Sequence, residues 1–130
     1  MIKKIIDEAK KARELSYSPY SNFKVGAAIL MKDGKYIHGA NIENVSYGLT
    51  NCAERNAMFR MILEGYKKED AVAICVIGQT KQPISPCGAC RQVMAELLPR
   101  DVKIILANMD DLYKETTLDE LIPYLFEEIE

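Results

Sequence analysis

The amino-acid sequence predicts an α/β fold built on one mixed five-stranded sheet. Three observations carry that expectation. Ile2, Ile5, Ile6, Ala9, Ala12 and Leu15 recur at three- and four-residue steps, the stripe of an amphipathic helix. Asp33-Gly34 separates two apolar segments and is the dipeptide that a tight hairpin turn favours. The uniformly apolar run Ala71 to Ile77 and a second strand-like run, Val102 to Ala107, flank a helical segment, and strand, helix, strand in that order implies a parallel crossover between strands buried in the sheet.

Taken in chain order, the first helix should stop near Ser16. Ser18-Pro19-Tyr20-Ser21-Asn22 is turn chemistry, and the residue before a proline avoids the helical region. Phe23 to Met31 and Tyr36 to Ile42 form the antiparallel hairpin around Asp33-Gly34. Asn51 stands before a helical stretch, Cys52 to Glu64, whose apolar stripe is Ala53, Ala57, Met58, Met61 and Ile62 and which ends at Gly65. The first buried strand follows. Ser85-Pro86 then opens a helix running to about Leu98, with proline near its first position. After the second buried strand only Asn108-Met109-Asp110-Asp111 intervenes before Leu112 to Thr116, too short for a crossover, so the last strand should pair antiparallel. A final helix is expected from Leu118 to about Glu128, interrupted by Pro123.

The 130 residues suffice for one domain, 1–130, and no repeat or linker divides them. With 48% apolar and 28% charged residues the chain has the balance of a self-folding globular protein. Seventeen Lys and Arg against nineteen Asp and Glu offer no basic stripe for a nucleic acid. The longest uncharged apolar run, Ala71 to Gly78, is far short of the roughly 20 residues of a membrane helix. The charged N-terminus lacks the apolar core of a secretory signal, so a cytoplasmic location is the expectation. In that reducing compartment the four cysteines point to metal binding or catalysis rather than to disulfides.

Two cysteine clusters stand at predicted helix starts: Cys52-Ala53-Glu54 and Pro86-Cys87-Gly88-Ala89-Cys90. A C-x-x-C also occurs in redox proteins, but the aromatic flanking pattern of those motifs is missing. Catalytic zinc keeps three protein ligands and leaves a fourth position for water, and Cys52, Cys87 and Cys90 make three. Cys75 sits mid-strand as a small buried hydrophobe, and His38, the one histidine, falls in a hairpin strand far from both clusters. Glu54 alone would be a first-turn glutamate favoured by the helix dipole. Beside three ligands and one open position it is a proton carrier.

The signature Cys52-Ala53-Glu54 with Pro86-Cys87-Gly88-Ala89-Cys90 resembles that of the zinc deaminases, with cysteine replacing histidine as first ligand. Together with Asn41-Ile42-Glu43-Asn44, Arg55 and Ser85-Pro86-Cys87-Gly88-Ala89-Cys90-Arg91-Gln92, it is similar to the short, homotetrameric class of cytidine deaminase, from the Pro19-Tyr20-Ser21 turn to Phe126. The resemblance implies a three-layer α/β/α fold and one Zn²⁺ per subunit. It also implies hydrolytic deamination of cytidine and 2′-deoxycytidine to uridine and 2′-deoxyuridine with release of ammonia, a step of pyrimidine salvage. Glu54 would take a proton from zinc-bound water, and the hydroxide would attack C4 of the ring; the same carboxylate would then protonate N3 and the departing amine. Phe23 would face the pyrimidine, and the Ala53 N–H and Ser85 carbonyl would read the base edge. Asn41 and Glu43 would hold the ribose 3′-hydroxyl, and Tyr47 and Phe126 would reach into a neighbouring subunit's site.

Zn²⁺ with three thiolates sums to a formal −1, from +2 and −3, which weakens its pull on water. By resemblance Arg55 corrects this, held in place by Gln92. Two other readings stay open on sequence: a deaminase of another cytosine compound, such as blasticidin S or a base within a polynucleotide, and a non-catalytic zinc-binding module.

Overall fold

The structure, a computed structural model, describes residues 1–127. Its elements run α1 (Ile2–Arg13), β1 (Val25–Met31), β2 (Tyr36–Ala40), α2 (Ala53–Leu63), β3 (Ala71–Gly78), α3 (Gly88–Leu97), β4 (Lys103–Asn108), β5 (Tyr113–Thr116) and α4 (Leu118–Leu121). The five strands lie in the order β2-β1-β3-β4-β5. Every pair is antiparallel except β3–β4, the pair joined through α3. The mixed five-stranded sheet is therefore as expected.

Alternation along β1 divides the core. Ala27, Ile29 and Met31 face a cluster with Ala57, Met58 and Met61 of α2, Met94 of α3 and Leu118 and Leu121 of α4. Ala28 faces the opposite side, where Ala73, Cys75, Ile77, Ile105 and Ala107 meet Ile5, Ile6 and Ala9 of α1. Helices on both faces of one sheet give the three layers. Among the described residues no helix is long and apolar enough to cross a membrane.

Several boundaries differ from expectation; α1 ends at Arg13 rather than near Ser16, and β1 begins at Val25 rather than Phe23. β2 ends at Ala40, and Ile42 instead exchanges backbone hydrogen bonds with Asn51 at 3.0 Å in both directions. That bridge fixes Asn51 outside the helix, so Cys52 is the cap of α2 although asparagine is the better capping residue. α3 begins at Gly88, not at Ser85-Pro86, because the Pro86 carbonyl is engaged by the Arg91 side chain and Cys87 is extended at φ −71, ψ 168. α4 stops at Leu121. Ile122 precedes Pro123 and leaves the helical region at φ −143, ψ 75. Glu128, the expected helix end, lies outside the described residues.

Candidate active site and metal centre

Two helix starts converge on one face of the sheet. Cys52 caps α2 and Cys87 caps α3, both in extended conformation and neither with a side-chain cap hydrogen bond, so both thiols are free to turn towards each other. Cys90 follows one turn into α3. α2 reaches its place because residue 39 is glycine: a Cβ there would lie 2.4 Å from the Ala57 nitrogen and 2.5 Å from the Ala53 carbonyl oxygen.

The sulfurs of Cys52, Cys87 and Cys90 all lie within 4.8 Å of one another. Cys52 and Cys87 are 3.8 Å apart and Cys87 and Cys90 3.4 Å. Thiolates bound at about 2.3 Å to a tetrahedral zinc have sulfurs about 3.8 Å apart. The donor set and its spacing fit zinc, with one coordination position left without a protein ligand.

The electrostatics of the group favour one thiolate, at Cys52. Cys52 is lowered to about 5 by the neighbouring Cys90 thiol, then by Arg55 and Cys87. Cys90 is pushed up, because it keeps its proton beside the Cys52 thiolate and is itself buried. An Arg55 terminal nitrogen donates to Cys52 Sγ at 3.5 Å, and this contact raises the guanidinium's own pKa. Glu54 is 4% exposed, and burial raises it to about 7.

A cavity of about 250 Å³ opens beside this cluster, lined by Phe23, Asn41, Ala53 and Ser85 together with Glu54, Cys52 and Cys87. Residues far apart in sequence thus share one wall system. Residues 1–106 match the model described as "Cytidine and deoxycytidylate deaminase zinc-binding region".

The chain belongs to this cytidine and deoxycytidylate deaminase family. A cytidine deaminase of Halalkalibacterium halodurans is 59% identical over 122 residues, 94% of this chain and 91% of that protein. The solved structure of a cytidine deaminase from Burkholderia pseudomallei superposes with a TM-score of 0.93 at 51% identity, covering 95% of this chain and 98% of that one. A blasticidin-S deaminase of Bacillus cereus is more distant, 31% identical over 105 residues, 76% of this chain and 74% of that protein.

The remaining site residues of this deaminase-family chain divide into two groups. Asn41 is buried at the cavity wall with most of its amide engaged: the Ser16 hydroxyl and the Val25 N–H donate to Oδ1, and Nδ2 donates to the Phe23 carbonyl at 2.8 Å. One Nδ2 hydrogen remains. Glu43 does not line the cavity: it is tied to the turn before β1, accepting from the Tyr20 and Ser21 N–H groups at 3.0 and 3.1 Å and from the Ser21 hydroxyl, which lowers its pKa. Tyr47 is 76% exposed with its ring 6.4 Å from Tyr20, and Phe126 is 63% exposed on another part of the surface; neither lines the cavity.

Gln92 does not brace Arg55. It donates to the Phe126 carbonyl at 2.9 Å, and among the described residues the buried Arg55 Nε has no hydrogen-bond partner. Cys75 is fully buried in β3 with its thiol raised to about 12, and His38 pairs with Glu8 at 3.0 Å, both outside the site as expected. Val25, Thr50 and Ile84 also line the cavity. Ile84 had a sequence signal, since it directly precedes Ser85; Thr50 had none.

Proposed function

We propose that the protein catalyses hydrolytic deamination of cytidine and 2′-deoxycytidine, giving uridine and 2′-deoxyuridine with release of ammonia. The observation that carries this reading is the buried Glu54 carboxylate beside three convergent cysteine sulfurs at the wall of one small cavity. Cys52, Cys87 and Cys90 would hold the zinc, which would act as a Lewis acid making water a nucleophile near neutral pH.

The chain's own residues supply binding and proton movement. Glu54 takes the proton of the attacking water and delivers it to N3 of the pyrimidine; it then takes the proton of the new C4 hydroxyl and delivers it to the departing amine, leaving C4 as the carbonyl. Burial places its pKa at about 7, so both protonation states are populated at neutral pH. Phe23 packs on the ring, while the Ala53 N–H and the Ser85 carbonyl read its edge. Asn41 is fixed as a donor, because its oxygen is filled and one amide hydrogen is free. Glu43 has lone pairs left for a hydroxyl proton. A donor and an acceptor together suit one ribose 3′-hydroxyl, which favours an unmodified nucleoside over blasticidin S. Arg55 offsets thiolate charge at Cys52.

The finer reading is a homotetramer with shared active sites, cytoplasmic and acting in pyrimidine salvage. It is supported by Tyr47 and Phe126 standing exposed, and by Ile42, Val45, Tyr47 and Leu49 turning outward within one short segment. The partners are nucleosides rather than nucleic acids or membranes. Following ultraviolet absorbance with cytidine, deoxycytidine, cytosine, CMP and blasticidin S, alongside native mass measurement, tests the whole reading. Turnover of the two nucleosides by a tetramer is expected; turnover of blasticidin S alone, or of nothing, overturns it.

A further inference from the structure

Arg91 lies just beyond the Cys87–Cys90 pair, and its side chain reaches the loop before α3 and the end of α4. Its Nε donates to the Pro86 carbonyl at 2.9 Å, one terminal nitrogen donates to the Ser85 hydroxyl at 2.9 Å, and the other to the Leu121 carbonyl at 2.7 Å. Among the described residues it has no carboxylate partner at ion-pair distance, so its charge is spent on three uncharged oxygens. Those oxygens belong to two segments about 35 positions apart, and only a planar fork spans them; a lysine is a single point donor.

The loop it holds is packed through Ile84 and the buried Pro86 but carries few backbone hydrogen bonds of its own. Ile84 donates to the Ala107 carbonyl at 3.2 Å, Pro86 has no N–H, and Ser85 is exposed at the cavity mouth. Gln92, the next residue, ties the Phe126 carbonyl to the same helical turn. Neighbouring side chains of α3 therefore anchor the segment 121–126 at two points, and Arg91 joins that segment to the Ser85–Pro86 loop.

We propose that Arg91 is a positioning residue for cytosine recognition: by bridging the Ser85–Pro86 loop to the end of α4 it holds the Ser85 carbonyl where it accepts from the exocyclic amine of the base. This rests on the reading of the cavity as a cytidine site. The amine is what distinguishes cytidine from uridine, which carries an oxygen at that position and offers no donor. Loosening the loop therefore weakens substrate more than product, and leaves the proton carrier on α2 in place.

The test is calorimetric binding of cytidine and of uridine to zinc-loaded Glu54→Gln protein, which cannot turn over, with and without Arg91→Lys. The cytidine Kd should rise about tenfold and the uridine Kd change by less than about threefold, while in the otherwise native enzyme Arg91→Lys raises KM with kcat nearly constant. Ser85→Ala removes one acceptor while sparing the arginine, and should give a smaller shift in the same direction that does not add fully to that of Arg91→Lys. Guanidinium ion at millimolar concentration should restore part of the affinity of Arg91→Ala. Equal weakening of both nucleosides, a fall in kcat alone, or unchanged cytidine binding in both Arg91→Lys and Ser85→Ala overturns the proposal. Failure of the unsubstituted enzyme to turn over cytidine overturns the functional reading instead.

Discussion

Cys52 caps α2 at φ −72, ψ 157 and Cys87 caps α3 at φ −71, ψ 168, yet the two helix starts are embedded differently. The first is packed onto the hairpin through Gly39 and carries the buried Glu54; the second leaves Cys87 exposed and is held from outside by Arg91 and Gln92. Identical local geometry thus serves two tasks. Burial at α2 raises the pKa of a carboxylate towards neutrality, whereas at α3 the cap residue stays exposed beside a loop that Arg91 bridges to the end of α4. Damage at α2 should stop chemistry or unfold the protein, and damage at α3 should weaken binding.

The sharpest way to break that division is Glu54→Gln. It should lower kcat about 10⁴-fold, roughly 5.5 kcal/mol in barrier, with zinc content by metal analysis unchanged. Substantial turnover in that variant would remove Glu54 from its role. Next comes Gly39→Ala, whose new Cβ meets backbone atoms of α2 rather than a yielding side chain. Chemical denaturation should report a loss of about 3 kcal/mol, at the upper end of overpacking costs. An unchanged midpoint would show that α2 can back away from the sheet without penalty.

Arg55→Ala addresses the charge of the centre itself. Loss of a hydrogen bond to a ligand thiolate should cost about 10- to 100-fold in zinc affinity or activity, measured by competition with a chelator and by the pH–rate profile. Unaltered values of both would leave the formal −1 uncompensated by this residue. The smallest effect belongs to Cys75, away from both helix starts. Because burial raises its pKa to about 12, it carries almost no thiolate at pH 8 and should resist alkylation in the native protein, while reactivity rises only towards that pKa. Cys75→Ala should cost about 1 kcal/mol of stability and leave kcat and zinc content unchanged. Zinc loss in that variant would instead bring Cys75 into the metal site.

Much of the fold was legible because its signals are local. The stripe of α1, the Asp33-Gly34 turn and the β-branched runs of β3 and β4 are each readable within a dozen residues. The helix boundaries were misread where a distant group intervened. Asn51 lost the cap of α2 to Cys52 through its bridge to Ile42, and α3 started late because Arg91 takes the Pro86 carbonyl. The end of α4 is a different case: Pro123 marks the interruption in the sequence itself, and through its restriction on Ile122 the helix stops at Leu121.

The site divides in the same way. By itself the sequence determined which groups can ligate zinc, which carboxylate stands beside them, and that Cys87 and Cys90 share one helical turn, because these follow from residue type and short spacing. Only the tertiary structure decided that Cys52, 35 positions from Cys87, brings its sulfur to 3.8 Å, that Glu54 is buried, and that Gln92 holds Phe126 rather than Arg55. Solvent exclusion and the choice among competing hydrogen-bond acceptors depend on which segments the sheet order brings together. No stretch of chain carries that information by itself.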